Sequence, residues 1–420
     1  MPSGPTTSRT AEAATVSTTT VPSTDVDLSD ADFVADPYAE LARLRALGPV
    51  VRHQPSGLLL ATQHAVVGQV LRHRGFGRSW RDLEPVARYG PFNALHRHQM
   101  MEHEPPSHTR LRRLVAGAFA RGHVQRMRPR IEAIATGLLD ELAGAAADGP
   151  VDVVAGYAEP LPVAVIADLL GVPPRDRALL RDWSQAIVRM YELGRTPAVE
   201  AAAIAASADF AAYVRALVDA RRRQPADDLL TDLVRASADG SGLSDDELVA
   251  SVVLLLNAGH EASVNAFGNG LVDLLRHRDQ LVRLSAGAVR VETVVEELLR
   301  HDAPLQLFER TATDDVELAG LPVRRGDKVA VLLGSANRDE TVFAGADRLD
   351  VGRDPNPHLG FGMGVHFCLG APLARMELAI ALELLLARWP AIVLAAEPRR
   401  RPTFVLRGYA RVDVAAGQAA

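Results

Sequence analysis

Phe361-Gly362-Met363-Gly364-Val365-His366-Phe367-Cys368-Leu369-Gly370 contains the only cysteine of a 420-residue chain, directly ahead of a segment that reads as a helix from about Ala371. A single thiol on a glycine-rich loop, facing a helix N-terminus, points to one-ligand metal chemistry. The positive end of the helix dipole and the free N–H groups of the loop favour the sulfur as an anion. Structural zinc and iron–sulfur sites need several ligands, so Cys368 alone builds neither. A Cys-His nucleophile, with His366 two residues away, and an inert buried cysteine are the competing readings. Neither accounts for Gly360, Gly362, Gly364 and Gly370 set around Phe361, which let a flat cofactor approach the backbone.

Outward from this loop, composition narrows the partners. Hydrophobic residues make up 48% of the chain, ample for a large core, and aromatic residues only 5%, too few for a nucleic-acid stacking surface. The formal charge of −6, from 46 basic and 52 acidic side chains, favours neither nucleic acid nor an anionic membrane. No unbroken apolar run reaches the about eighteen residues of a bilayer span. Residues 1–26, rich in Ser, Thr, Pro and Ala with Arg9 as the one basic residue, match neither a secretory signal nor an organellar presequence. They read as a disordered tail ahead of a single domain over 27–420, and a cytoplasmic monomer is expected.

The elements read mostly as helices. Asp36 is a plausible N-cap for a helix to Leu47, with strands at Val50–His53 and 58–62. Helices follow from Pro106 through Phe119, over 124–146, 159–170, 175–193 and 198–223, separated by breakers such as Gly171, Pro173, Pro197 and Pro225. Ser244-Asp245-Asp246-Glu247 is a capping box that opens the longest helix, to about Leu275. Short strands are expected at 316–318, 329–332 and 405–407.

The loop Phe361 to Gly370 resembles the haem-binding loop of cytochromes P450, and Ala371 to Glu377 resembles the helix that follows it in that family. Glu297-Leu298-Leu299-Arg300 resembles the family's Glu-x-x-Arg element; Glu104 to Arg112 and Leu254 to Ser263 resemble two further blocks. The resemblance implies a mainly α (α+β) fold, with a large helix-rich region and a smaller β-rich region around a buried haem b. It implies a monooxygenase that oxidises a small to medium organic substrate in bacterial secondary or catabolic metabolism. Electrons would come from NAD(P)H through a separate ferredoxin and ferredoxin reductase. A peroxide-driven peroxygenase and a non-catalytic haem-based sensor are the alternatives.

By the same resemblance Cys368 is the iron ligand, and His108, Arg112, Arg310 and His366 clamp the propionates, with Phe361, Gly362 and Gly370 shaping the cradle. Glu297 and Arg300 form a buried pair that meets Arg353. Ala258, Gly259, Glu261 and Ala262 form the oxygen site on the long helix, where Ala258 and Gly259 are expected to leave a groove. Most relatives carry a threonine where this chain has Ala262. Ser263 is an imperfect substitute, because one residue along a helix turns the side chain by about 100°. Water with Glu261, or a polar group of the substrate, would complete proton delivery. His260, Leu305, Phe308 and Phe404 are expected near the substrate, under a lid over 80–98 with Arg81, Arg88, Arg97 and Gln306 available for a polar group. Arg110, Arg113 and Arg121 are expected to face outward as a basic patch for an acidic electron donor.

Overall fold

Ser244 Oγ accepts the Glu247 N–H at 3.2 Å while Glu247 Oε2 accepts the Ser244 N–H at 2.9 Å, a reciprocal cap that starts the helix Asp245–Arg276. At 1.5 Å per residue this helix is about 48 Å long. In the computed structural model, which describes residues 21–238 and 243–417, it is the axis of the helical core. It packs against Val86–His98, Pro160–Leu169, Pro197–Arg223, Val291–His301 and Ala371–Arg388. A helix that is apolar all round must be enclosed on all sides. Between Leu248 and Val272 only Ala258, Gly259, Ala262 and Ser263 are not buried.

The β-rich part is a six-stranded sheet in the order Ser23–Thr24, Val50–His53, Leu59–Ala61, Lys328–Leu332, Leu307–Ala312, Phe76–Gly77. Leu60 pairs with Val51 and Ala330, and Phe308 with Val331. Side chains alternate across it. Val50, Leu59, Ala61, Val329 and Val331 enter one apolar cluster, while Val51, Leu60, Ala330 and Leu332 enter another with Phe33 and Phe404. Both faces of the central strands are covered, so these strands read as short continuous apolar runs.

Several expectations change. Ser23–Thr24 pairs in parallel with Arg52–His53, so the fold begins before residue 27; the rest of the expected tail, 1–20, lies outside the described residues. Residues 405–407 make no strand. They make one bridge, Leu406 to Leu305, and the chain pairs instead at Tyr409–Arg411. The strand Leu307–Ala312 and the helices His64–Arg72 and Val86–His98 went unread, since alternation is interrupted by Glu309 and Arg310 in the first and Pro91 sits inside the last. By length and mean hydropathy, Pro197–Arg223 and Asp245–Arg276 could each cross a bilayer, although neither contains an unbroken apolar run of that length. The apolar window of the second is 72% buried inside the fold, which is what a core helix requires.

On the helix Ala371–Arg388, Glu377 is buried among apolar side chains, and burial alone pushes its carboxyl up to about 8. It shares with Ser263 and Phe267 a cavity of about 10 Å³, room for one water. The folded chain therefore holds a proton at neutral pH that the unfolded chain releases, and stability falls as pH rises from the unfolded carboxyl range through about 8. Glu377→Gln removes that titration. In urea unfolding, the variant should lose roughly 4 kcal/mol less than the parent between about pH 5 and about pH 8.

Candidate functional site

Glu297 and Arg300 lie one turn apart on the helix Val291–His301, both fully buried. Arg300 donates from Nε to Glu297 Oε2 at 2.7 Å and from Nη2 to Oε1 at 2.8 Å. Its remaining donors reach the carbonyls of Asn337, Ala346 and Arg348. Glu297 also accepts from Arg353 Nε at 3.1 Å, Asn356 Nδ2 at 3.1 Å and the Asp350 N–H at 2.8 Å. One carboxylate thus pins the 346–356 segment that leads into the cysteine loop.

Within that loop the Cys368 N–H donates to Phe361 O at 3.0 Å. Gly362 and Gly364 have φ of +68° and +74°, and a Cβ at Gly364 would lie 2.3 Å from Leu71 O, so only glycine fits there. At Gly362 and Gly370 a Cβ would meet nothing within 4 Å. The loop therefore presents an open face beside the sulfur. Burial pushes the Cys368 thiol up, against the Gly370 and Ala371 N–H groups and the Arg112 and Arg375 charges, which lower it. The N–H groups of the loop and the helix end act on the sulfur in the expected direction, favouring the anion, and burial opposes them. A coordinated metal would remove the thiol proton outright.

Around the open face stand two arginines and a histidine that make no ion pair among the described residues. Arg310, buried on the strand Leu307–Ala312, donates only to the Glu309 carbonyl, and burial together with Arg78 brings it down to about 10. Among the described residues no carboxylate lies within ion-pair distance of it. Arg112 donates to Phe367 O at 2.8 Å and likewise makes no ion pair among the described residues. His108 is buried with Nδ1 unpartnered, and burial, then His366 and Arg112, lowers it to about 4. An open face beside a lone sulfur, ringed by unpaired donors, fits a flat iron macrocycle with two carboxylates. His366, whose ring lies 4.5 Å from that of His108, is instead engaged by Glu104 Oε1 at 2.8 Å. Glu104 stood in the quoted block and its proximity to His366 could not be read from it.

On the long helix, Ala258 and Ala262 lie four apart on the stripe that is not buried, which Gly259 and Ser263 share. Gly259 has another cause: a Cβ there would meet Ile166 Cγ1 at 2.9 Å, so the glycine lets the helix Pro160–Leu169 approach. The helix runs unbroken through it. Glu261 is buried with Oε1 3.5 Å from His260 Nε2 and Oε2 3.9 Å from Arg401 Nη1. Burial raises its carboxyl, yet His260 and Arg401 hold it below the ordinary range. His260 is anchored through Nδ1 to Leu256 O at 2.9 Å.

The substrate residues do not all converge. Phe404 is buried against Phe33, ring centroids 4.8 Å apart, on the sheet side. Leu305 packs on both sheet clusters, while Phe308 lies under Arg78 and Arg310, with guanidinium carbons 5.9 and 5.4 Å from its ring centroid. Gln306 is fully buried, and its amide donates to Ala303 O and Tyr38 Oη. Arg88 and Arg97, expected to be available to a ligand, pair with Glu200 and Asp82. Arg110 pairs with Glu247 at the cap of the long helix rather than standing outward; Arg113 and Arg121 are exposed. Sequence reasoning missed Glu192, whose carboxylate accepts the N–H groups of Phe404, Val405 and Leu406 at 2.8–3.0 Å, because nothing local marks it.

A family model described as cytochrome P450 matches residues 290–404. Cytochrome P450 monooxygenase PikC of Streptomyces venezuelae is 41% identical over 91% of this chain and 90% of its own. Mycinamicin IV hydroxylase/epoxidase of Micromonospora griseorubida is 44% identical over 70% and 72%. The crystal structure of P450BioI in complex with an acyl carrier protein ligated to hexadec-9Z-enoic acid superposes with a TM-score of 0.87 at 32% identity, over 92% of this chain and all of that one.

Glu297→Ala would leave Arg300 and Arg353 buried without a counter-charge. The variant should lose about 3–5 kcal/mol and purify with most of its haem missing, read as the ratio of Soret to protein absorbance. Gly259→Ala should cost about 1–3 kcal/mol by overpacking, and that cost should shrink in an Ile166→Ala background, which removes the Cγ1 it meets, as read by thermal melts of the four proteins.

Proposed function

The chain belongs to the cytochrome P450 family, and from that premise we propose that Cys368 would hold the haem iron, and that its substrate is a small to medium natural product bearing a hydroxyl or carboxyl group. The protein is a haem-thiolate monooxygenase with haem b as cofactor and electrons from NAD(P)H passed on by redox proteins. When bound, the thiolate-ligated haem supplies dioxygen activation and oxidation of the substrate. The observation that carries the residue assignment is the open cysteine loop ringed by Arg112, Arg310 and His108, none of which makes an ion pair among the described residues.

Each group then has a task. Arg310 and Arg112 would neutralise the propionates, with His108 as a donor beside them, and His366 would join them while tied to Glu104. Phe361, Gly362 and Gly370 keep the cradle flat. Ala258 and Ala262 leave room for oxygen on the stripe of the long helix that is not packed. Glu261 holds the nearest buried carboxylate, but no hydroxyl at Ala262 carries a proton onward, and Ser263 borders the cavity of Glu377 instead. A hydroxyl or carboxyl of the substrate fills that step. His260, Leu305, Phe308 and Phe404 shape the pocket or its walls, Phe404 from behind.

A ferredoxin with its reductase is the proposed donor, docking where Arg113 and Arg121 are exposed. The chain from Ser23 onward acts as one catalytic domain, and the protein works as a cytoplasmic monomer.

Reduced holoprotein under carbon monoxide should show the red-shifted band from which the family takes its name, and Cys368→His should replace it with the band of imidazole ligation. Ala262→Thr should change the product formed per NADH consumed with ferredoxin and reductase present. Unchanged coupling removes the substrate-assisted step, and full turnover with hydrogen peroxide alone would favour the peroxygenase reading.

A further inference from the structure

Two adjacent glutamates on the helix Val291–His301 serve different structures, and only Glu297 belongs to the family's Glu-x-x-Arg element. Glu296 turns to the other side, toward the cysteine. Arg375, on the helix that follows the cysteine, donates to it from Nε at 2.6 Å and from Nη2 at 2.7 Å, a bidentate pair. The Arg375 guanidinium carbon lies 4.4 Å from the centroid of the Phe361 ring, within cation–π range. Phe361 in turn accepts the Cys368 N–H through its carbonyl. His358 closes the arrangement. Its Nδ1 accepts the Gly360 N–H at 3.0 Å, which leaves Nε2 as the donor to Glu296 Oε2, also at 3.0 Å.

The geometry points to Glu296 as a positioning residue for the iron ligand, acting through Arg375 and Phe361 to set how much positive charge the Cys368 sulfur feels. This rests on Cys368 being the axial ligand. The pair is half-buried, so its field is less screened than that of a surface bridge. Arg375 acts on Cys368 as a favourable charge, and its carboxylate partner offsets that charge; Glu296 itself is held down to about 2, first against burial and then by Arg375 and His358.

Opposite charges in one bridge make opposite predictions. Positive charge near the thiolate stabilises the reduced, more electron-rich centre. Glu296→Gln should therefore raise the ferric/ferrous reduction potential, Arg375→Gln should lower it, and the double variant should return toward the parent. A role confined to bracing the loop would shift both single variants in the same direction through loosened ligation, with a growing share of the blue-shifted carbon monoxide band in each.

The measurement is a redox titration of substrate-free holoprotein, alongside the ferrous–carbon monoxide spectrum. Opposite shifts with the thiolate band retained support the inference; no shift, or shifts of the same sign, overturn it. If Glu296→Gln does not retain haem, Arg375→Gln decides alone: a fall in potential supports the inference, and an unmoved or higher one overturns it. A parent protein without the thiolate band would remove the reading of Cys368 itself, a different result from unmoved potentials in a protein that has it.

Discussion

The buried Glu297 carboxylate is the constraint on which the site depends. It accepts hydrogen bonds from Arg300, Arg353, Asn356 and the Asp350 backbone, and Arg300 spends every remaining donor on carbonyls between 337 and 348. Charges removed from water are tolerable only when each donor and acceptor is used. Here that requirement fixes the path of a segment with little regular structure. The cysteine loop starts where that path ends, so the position of one sulfur is decided by an ion cluster on another helix.

The neighbouring Glu296 extends the same logic to the other side of the loop. Glu297 holds the approach to the loop, while Glu296 reaches Arg375, whose guanidinium covers Phe361. Adjacent positions on a helix point about 100° apart. Two like residues in a row can therefore brace two walls of one cradle.

Across the cradle, the long helix shows how function and packing divide a single turn. Ala258 and Ala262 are small on the open stripe, while the glycine between them answers to Ile166 on a packed helix. Ser263 borders the water-sized cavity of Glu377, a carboxyl that burial keeps protonated at neutral pH. The absence of a hydroxyl at 262 is thus not made good by its neighbour, because the Ser263 side chain borders the Glu377 cavity.

Much of this was legible in the chain. The capping box at Ser244 marked the start of the long helix, breakers separated the helices, and the glycine pattern around Cys368 announced a flat ligand, because caps, breakers and glycines act through local backbone geometry. Partners distant in sequence were not legible. Glu104 with His366, Arg110 with Glu247, Glu192 under the 404–406 backbone and Arg375 on Glu296 join residues whose local sequence says only that they are charged. The residue types by themselves determined that one thiol would face an open loop and that position 262 would lack a hydroxyl. Which charges are buried together, and which remain without an anion around the cysteine, was decided only by tertiary packing, since the cost of burying a charge depends on what surrounds it in space.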